Sequence, residues 1–214
     1  MPKIDYALMY VTDDSIRDDN SFFAILEAAL KGGVTLVQLR EKTCDTATFY
    51  KRAVHAKELC VVYNIPLIIN DRIDIALAVN ADGVHIGQTD MPFNVARRLL
   101  GKSSIIGLSV STLEQAIKDN AQAADYIGIS PIFSTDTKTT DLAKPLGISG
   151  LRSIREIYNK PMVCIGGINK NNTAEIISNG ADGIAVVSAI SKAVEPLTAT
   201  KELKQIVCKT GTHY

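Results

Sequence analysis

The chain has no excess charge of either sign. Across 214 residues, 23 Lys and Arg are balanced by 23 Asp and Glu. Such a balance offers no general attraction to nucleic acid or an anionic membrane, so any anionic ligand must be met by a local cluster of cations. No apolar run approaches the roughly 18 residues of a spanning helix, and the start, MPKIDYALMY, lacks the apolar core of a secretory leader. A cytoplasmic protein with neither nucleic acid nor membrane as partner is expected. Cysteine is sparse too: Cys44, Cys60, Cys164 and Cys208 stand far apart without a CxxC pair. That argues against a disulfide frame or zinc site and for reduced thiols. No Ser-His-Asp or Cys-His arrangement is visible. His55 falls in a helical stretch and His213 in the tail, while His85 lies inside a strand, where a hydrogen-bonded core role is expected. Covalent acyl chemistry is therefore poorly supported.

What the chain does have is a regular beat of short β-type runs, at 7–12, 35–40, 66–70, 83–87, 105–110, 126–131, 161–166 and 183–188. Helical spacing fills the intervals, as in SFFAILEAALKGG, where Phe22, Ile25, Leu26 and Leu30 share a face and Gly32-Gly33 stops the helix. Small or Gly-rich turns (GGV, ADGV, AADY, GADG) precede strand after strand. Alternation of this kind implies parallel pairing, and eight units in this length predict an α/β fold, a single (β/α)8 TIM barrel over 1–214 with 209–214 as a frayed tail. An open doubly wound sheet is the alternative, but VTDDSIRDD after the first strand has no glycine for a dinucleotide turn.

In a barrel, chemistry belongs at the C-terminal ends of the strands. There the sequence places Arg40 and Lys42, Asn70 and Asp71, Asp90, Ser109, Lys138, Gly166-Gly167 and Val187-Ser188. Gln38, Arg40 and Lys42 recur at every second residue of VTLVQLREK and so share one face of a buried strand. Two cations there need partners. Either they clamp an anionic substrate, or they form structural ion pairs with Glu41 or a neighbouring strand's carboxylate. Asp71 and Asp90 end adjacent strands and could converge on one oxygen-liking cation such as Mg²⁺, or cap the helices starting near Ile73 and Met91-Pro92. Gly166-Gly167 with Val187-Ser188 has the position of a barrel phosphate site, built from backbone N–H groups and a short helix, or else is a plain turn.

Taken together, QLREK (38–42), INDR (69–72), ADGVHIGQTD (81–90), GLS (107–109), TDTK (135–138), IGGI (165–168) and ADGIAVVSAI (181–190) resemble thiamine phosphate synthases along nearly the whole chain. The resemblance implies a transferase joining hydroxymethylpyrimidine diphosphate to thiazole phosphate, with Mg²⁺ as cofactor and release of diphosphate. It implies that Gln38 holds the pyrimidine, that Arg40, Lys42, Asn70, Ser109 and Lys138 hold the diphosphate, and that Asp71 and Asp90 bind Mg²⁺. Thr135, Asp136, Thr137, Gly166, Gly167, Val187 and Ser188 would cradle the thiazole phosphate. Ser134 stands where many relatives have proline, which is expected to loosen a lid over 133–147. The rival readings are a thiazole tautomerase, a non-catalytic phosphate sensor and another sugar-phosphate barrel enzyme. Asp71, Asp90, Arg40, Lys42 and Lys138 argue against the tautomerase, and QLREK against the sugar-phosphate enzyme. The sensor is disfavoured by the full set of cationic and metal positions, with turnover against mere binding as what separates it. Exposed helices would allow a homodimer.

Overall fold

The computed structural model describes residues 4–134 and 144–211. Each expected run contains one strand, shorter by up to two residues at an end. The strands are β1 (Leu8–Val11), β2 (Leu36–Leu39), β3 (Leu67–Asn70), β4 (Gly83–Ile86), β5 (Ile105–Val110), β6 (Tyr126–Ile129), β7 (Met162–Ile165) and β8 (Gly183–Val186). They pair parallel in chain order, and β8 pairs with β1, so the sheet closes into a barrel. Closure rules out the open sheet.

Helices α1 (Asp19–Gly32), α2 (Thr46–Val62), α3 (Ile73–Ala78) and α4 (Phe93–Leu100) follow the first four strands. Two short helices, α5 (Leu113–Ala116) and α6 (Asp119–Ala123), follow β5; α7 (Gly147–Ile157) follows β6 and α8 (Thr173–Ser178) follows β7. After β8 come the single turn α9 (Ser188–Ser191) and the closing α10 (Pro196–Thr210). Helix α1 starts where the Asp18 carboxylate accepts from the Ser21 amide, and ends at Gly33, whose φ of 95° lies in the left-handed region. Its face of Phe22, Leu26, Ala29 and Leu30 is buried against the barrel. The tail expectation needs correcting, because Lys209 and Thr210 continue α10 rather than fray; amphipathic packing outlasts the polar look of the segment.

Alternate strand residues point inward, where Met9, Leu36, Ile68, Ile105, Tyr126, Val163 and Ala185 fill the lower barrel. The rest of the core lies between strands and helices.

The small turns before the even strands have a shared purpose. The Asp82 carboxylate accepts from the Leu67 amide at 2.8 Å and from Lys57 on α2 at 2.7 Å. Asp125 does the same for Ile106 (2.8 Å) and Arg97 on α4 (2.5 Å), and Asp182 for Met162 (2.8 Å) and Arg155 on α7 (2.9 Å). Before β2 the position is Thr35, whose hydroxyl accepts from the Leu8 amide at 3.0 Å. Each time, a side chain ahead of an even strand fixes the first free amide of the odd strand beside it, a donor that would otherwise go unpaired at the barrel floor.

Just beyond Asp82, Gly83 has no room for a side chain: a Cβ there would lie 1.9 Å from the Ile105 carbonyl oxygen. Gly83→Ala is expected to destabilise by about 1–3 kcal/mol through overpacking against backbone. At roughly 2–4 °C per kcal/mol for a chain of this size, the melting temperature should fall by several degrees. An unchanged melting temperature would mean that β4 and β5 do not approach this closely.

Candidate active site

The barrel mouth holds a cavity of about 850 Å³. Gln38, Arg40, Lys42, Asn70, Asp71, Asp90, Ser109, Gly166, Gly167, Val187 and Ser188, each singled out from sequence, all line it. Thr135, Asp136, Thr137 and Lys138 lie outside the described residues. So does most of the expected 133–147 lid, although both of its roots are fixed: the Phe133 amide donates to the Gly166 carbonyl at 3.1 Å, and the Gly147 amide to the Ile132 carbonyl at 3.0 Å.

Strand β2 delivers the cations. Arg40 Nη1 lies 2.7 Å from Asp14 Oδ1, and Lys42 bonds Asp71. These pairs are cross-strand, and Glu41 takes no part in them. Its side chain is fully buried on the other side of the strand, 2.6 Å from Arg52 of α2. Arg52 also reaches Asp19 and the carbonyl oxygens of Ile16 and Arg17, so one guanidinium ties the loops after β1 and β2 together. Burial, and then Glu41, push the nearby Cys44 thiol up. All four cysteines are free.

Strands β3 and β4 deliver the carboxylates. Asp71 sits at φ 61°, a left-handed conformation that aspartate tolerates better than most residues. Burial raises the Asp71 carboxyl above its usual range; Lys42 opposes this, and Asp90 beside it adds to it. Asp90 Oδ2 accepts from the Gly87 amide at 2.7 Å. Neither aspartate caps a helix. Helix α3 follows Arg72 and α4 follows Pro92, both without a side-chain cap bond. The positive φ and the Gly87 turn point both carboxylates at the mouth instead. Two neighbouring carboxylates with the Lys42 ammonium as stand-in cation form an oxygen-only donor set, which suits a hard divalent ion. Among the described residues no group of three or more His, Cys, Asp or Glu gathers, so what these residues could offer such a site is the two aspartates. That fits Mg²⁺, which keeps waters and takes ligand phosphate oxygens for the rest of its shell.

The opposite rim is backbone. Gly166 and Gly167 have φ of 107° and 64°, and a Cβ on Gly167 would lie 2.6 Å from the Ser134 carbonyl oxygen. The turn is closely packed on one side and on the other borders the cavity with Val187 and Ser188 at the start of α9. Asp13 accepts from Ser191 Oγ at 2.8 Å and so ties α9 to the loop after β1.

Between the two rims, the His85 ring bonds Tyr126 Oη through Nδ1 (2.7 Å) and Ser109 Oγ through Nε2 (2.9 Å). Burial pulls His85 down to about 4, so the ring is neutral near pH 7. The expected core histidine is found, but it also lines the cavity and holds a site serine.

Sequence reasoning missed Asp14 and Tyr126. Asp14 had a signal: it follows the end of the first strand as the other site residues follow theirs. Tyr126 had none, because a tyrosine opening an apolar strand reads as core.

A family model described as thiamine monophosphate synthase matches residues 8–190. The chain is 47% identical over 203 residues to the thiamine-phosphate synthase of Clostridium novyi (strain NT), covering 95% of this chain and 99% of that one. To the thiamine-phosphate synthase of Clostridium acetobutylicum it is 45% identical over 212 residues, covering 99% and 100%. The solved structure of thiamine phosphate pyrophosphorylase from Pyrococcus furiosus superposes with a TM-score of 0.87 at 38% identity, covering 97% of this chain and 98% of that one.

Proposed function

The chain belongs to the thiamine monophosphate synthase family, and from that premise we propose that its barrel mouth joins hydroxymethylpyrimidine diphosphate to hydroxyethylthiazole phosphate, or its carboxylated form, with diphosphate leaving. The observation that carries this reading is the meeting of Arg40 and Lys42 with the Asp71–Asp90 pair in one cavity, across from a backbone cradle. A tautomerase or a phosphate sensor would need the cradle alone.

In this reading Arg40, Lys42, Asn70, Ser109 and Lys138 hold the diphosphate, Gln38 holds the pyrimidine, and Asp71 and Asp90 hold Mg²⁺. Thr135, Asp136 and Thr137, the Gly166-Gly167 turn, Val187 and Ser188 hold the thiazole phosphate. Bound there, the metal would neutralise negative charge building on the leaving oxygens. Arg40 and Lys42 each begin paired with a carboxylate, so the diphosphate exchanges places with Asp14 and Asp71 rather than meeting bare cations. These groups stabilise charge that grows as the CH₂–O bond breaks, the kind of interaction that lowers a barrier most. The electron-rich aminopyrimidine spreads the positive charge left on its CH₂ group, and the thiazole nitrogen captures it. This route needs no strong general base, consistent with a neutral His85 turned to its neighbours. Water at that carbon would give the alcohol, so the cavity must close over the pair of substrates.

The test is an incubation with both substrates and Mg²⁺, assayed for thiamine phosphate with an EDTA control. Metal-dependent product is expected. No product with thiazole phosphate still bound would favour the tautomerase or sensor. Arg40→Ala should weaken binding of inorganic diphosphate about tenfold or more, as expected for a lost charge-assisted bond, and leave thiazole phosphate binding nearly unchanged. Equal losses in calorimetric titration would remove Arg40 from its assigned side.

A further inference from the structure

A row of hydrogen bonds runs from β6 through β4 to β5 along the cavity wall. Its members are Tyr126, His85 and Ser109, and all three line the cavity, as does Gln38. Two glycines make room for the rings. A Cβ on Gly107 would lie 2.1 Å from Tyr126 Cζ, and one on Gly128 would lie 2.8 Å from His85 Cε1. Gly107 is the register partner of both His85 and Tyr126, so the two rings lean over an empty place in the sheet between their strands. The arrangement is built into three adjacent strands.

The direction of the row follows from its donors. The Gln38 amide nitrogen faces Met9 Sδ at 3.5 Å. Tyr126 is wholly buried, so its O–H proton needs an acceptor, and the partner in place is His85 Nδ1 at 2.7 Å. A neutral imidazole that accepts at Nδ1 carries its proton on Nε2, and Nε2 faces Ser109 Oγ at 2.9 Å. Ser109 thus receives a hydrogen bond from beneath and has its own proton free for the cavity.

We propose that His85 is a positioning residue, held by Tyr126 as the Nε2–H tautomer, and that it locks the Ser109 hydroxyl as a donor aimed at the leaving diphosphate. The proposal rests on the placement of the diphosphate beside Ser109 argued above. The donor's bond strengthens as charge collects on the leaving oxygens, so its loss should appear in kcat rather than KM. No proton moves along the row in this role. In the other tautomer His85 would donate from Nδ1 to Tyr126 and accept from Ser109 at Nε2, and Ser109 would face the cavity as an acceptor.

The first test uses the whole chain labelled with ¹⁵N-histidine and no substrate, so it reads the tautomer whether or not the protein turns over. The His85 signals are those lost in His85→Asn. An unprotonated Nδ1 and a protonated Nε2 are expected; a protonated Nδ1 overturns the proposal. The second test is kinetic. His85→Asn keeps an acceptor for Tyr126 but has nothing to reach Ser109, and should lower kcat about ten- to a hundredfold, the worth of a hydrogen bond to a charged group, with KM within about twofold. His85→Gln, whose amide can reach Ser109, should recover part of that loss. On a Ser109→Ala background His85→Asn should add little, since one pathway has already been cut. Additive losses, or equal losses in the Asn and Gln variants, would make His85 a packing residue only. If His85→Asn does not fold, Tyr126→Phe serves instead, with the ring kept and the tautomer freed. A mixture of imidazole tautomers is then expected, and an unchanged spectrum sinks the idea.

Discussion

Asp71→Ala and Asp90→Ala should each abolish most Mg²⁺-dependent turnover, with kcat/KM falling by about 10²–10³-fold or more. A metal that stabilises a leaving group supplies several kcal/mol, and each 1.36 kcal/mol is a factor of ten in rate. Among the described residues two carboxylates would hold that ion, so removing either takes away half of that set. The fold should survive both changes. The Asp71 carboxyl is raised by burial and by Asp90, so its ionised form is a burden on the empty site rather than a support; at φ 61° alanine fits less well than aspartate, so a small loss of stability is expected from the backbone alone. Asp90 contributes one bond, from the Gly87 amide, worth about 1 kcal/mol. The measurement is initial rate against Mg²⁺ concentration, paired with a thermal melt. A right-shifted metal dependence with a near-native melt is the expected signature. Full activity in both variants would remove the metal assignment.

The largest loss of stability is expected at Arg52→Ala. The guanidinium is 3% exposed and serves Glu41, Asp19 and two backbone carbonyls. Glu41 already has one buried oxygen, Oε2, without a hydrogen bond; losing Arg52 strands the whole carboxylate. Removing one partner of a buried pair costs about 3–5 kcal/mol, mostly from the orphaned charge. At roughly 2–4 °C per kcal/mol, the melting temperature should drop by about 6–20 °C. That cause can be isolated. Glu41→Gln added to Arg52→Ala should restore part of the loss, since a neutral amide is less costly to bury. A double variant no more stable than the single would mean that the loop carbonyls, not the carboxylate, were what Arg52 was holding. Because Glu41 lies between Arg40 and Lys42, turnover of the single variant should also fall at temperatures well below its melt.

Much of this was legible in the sequence because barrels segregate their residues. Period-two alternation in VTLVQLREK put Gln38, Arg40 and Lys42 on one inner face, and the rule that strand ends carry chemistry gathered Asn70, Asp71, Asp90, Ser109 and the Gly166-Gly167 turn. Pairings were less legible. Nothing local says that Arg40 meets Asp14, 26 residues earlier, or that Glu41, flanked by two cations, turns its back on both. Those choices follow from strand register and from which side of β2 each residue faces. Helix caps misled for a related reason: aspartate ahead of a helix is a common cap, but a left-handed Asp71 and a Gly87–Asp90 turn send both carboxylates elsewhere. The His85–Tyr126 contact depended on two glycines whose purpose shows only when the strands lie side by side.

The bond that recurs before β2, β4, β6 and β8 gives the barrel a grain. It marks off four quarters of two strands each, and every quarter is fastened at the end away from the mouth by a side chain in the same place. Three of the fasteners are aspartates tied to a helix cation, and the first is a threonine with no such tie. The mouth shows no such rhythm: Arg40 and Lys42 come from the first quarter, Asp71 and Asp90 from the second, and the Gly166-Gly167 turn from the last. The floor is fastened four times over in the same way, while the groups at the rim differ from quarter to quarter, so a change at the mouth leaves every fastening in place.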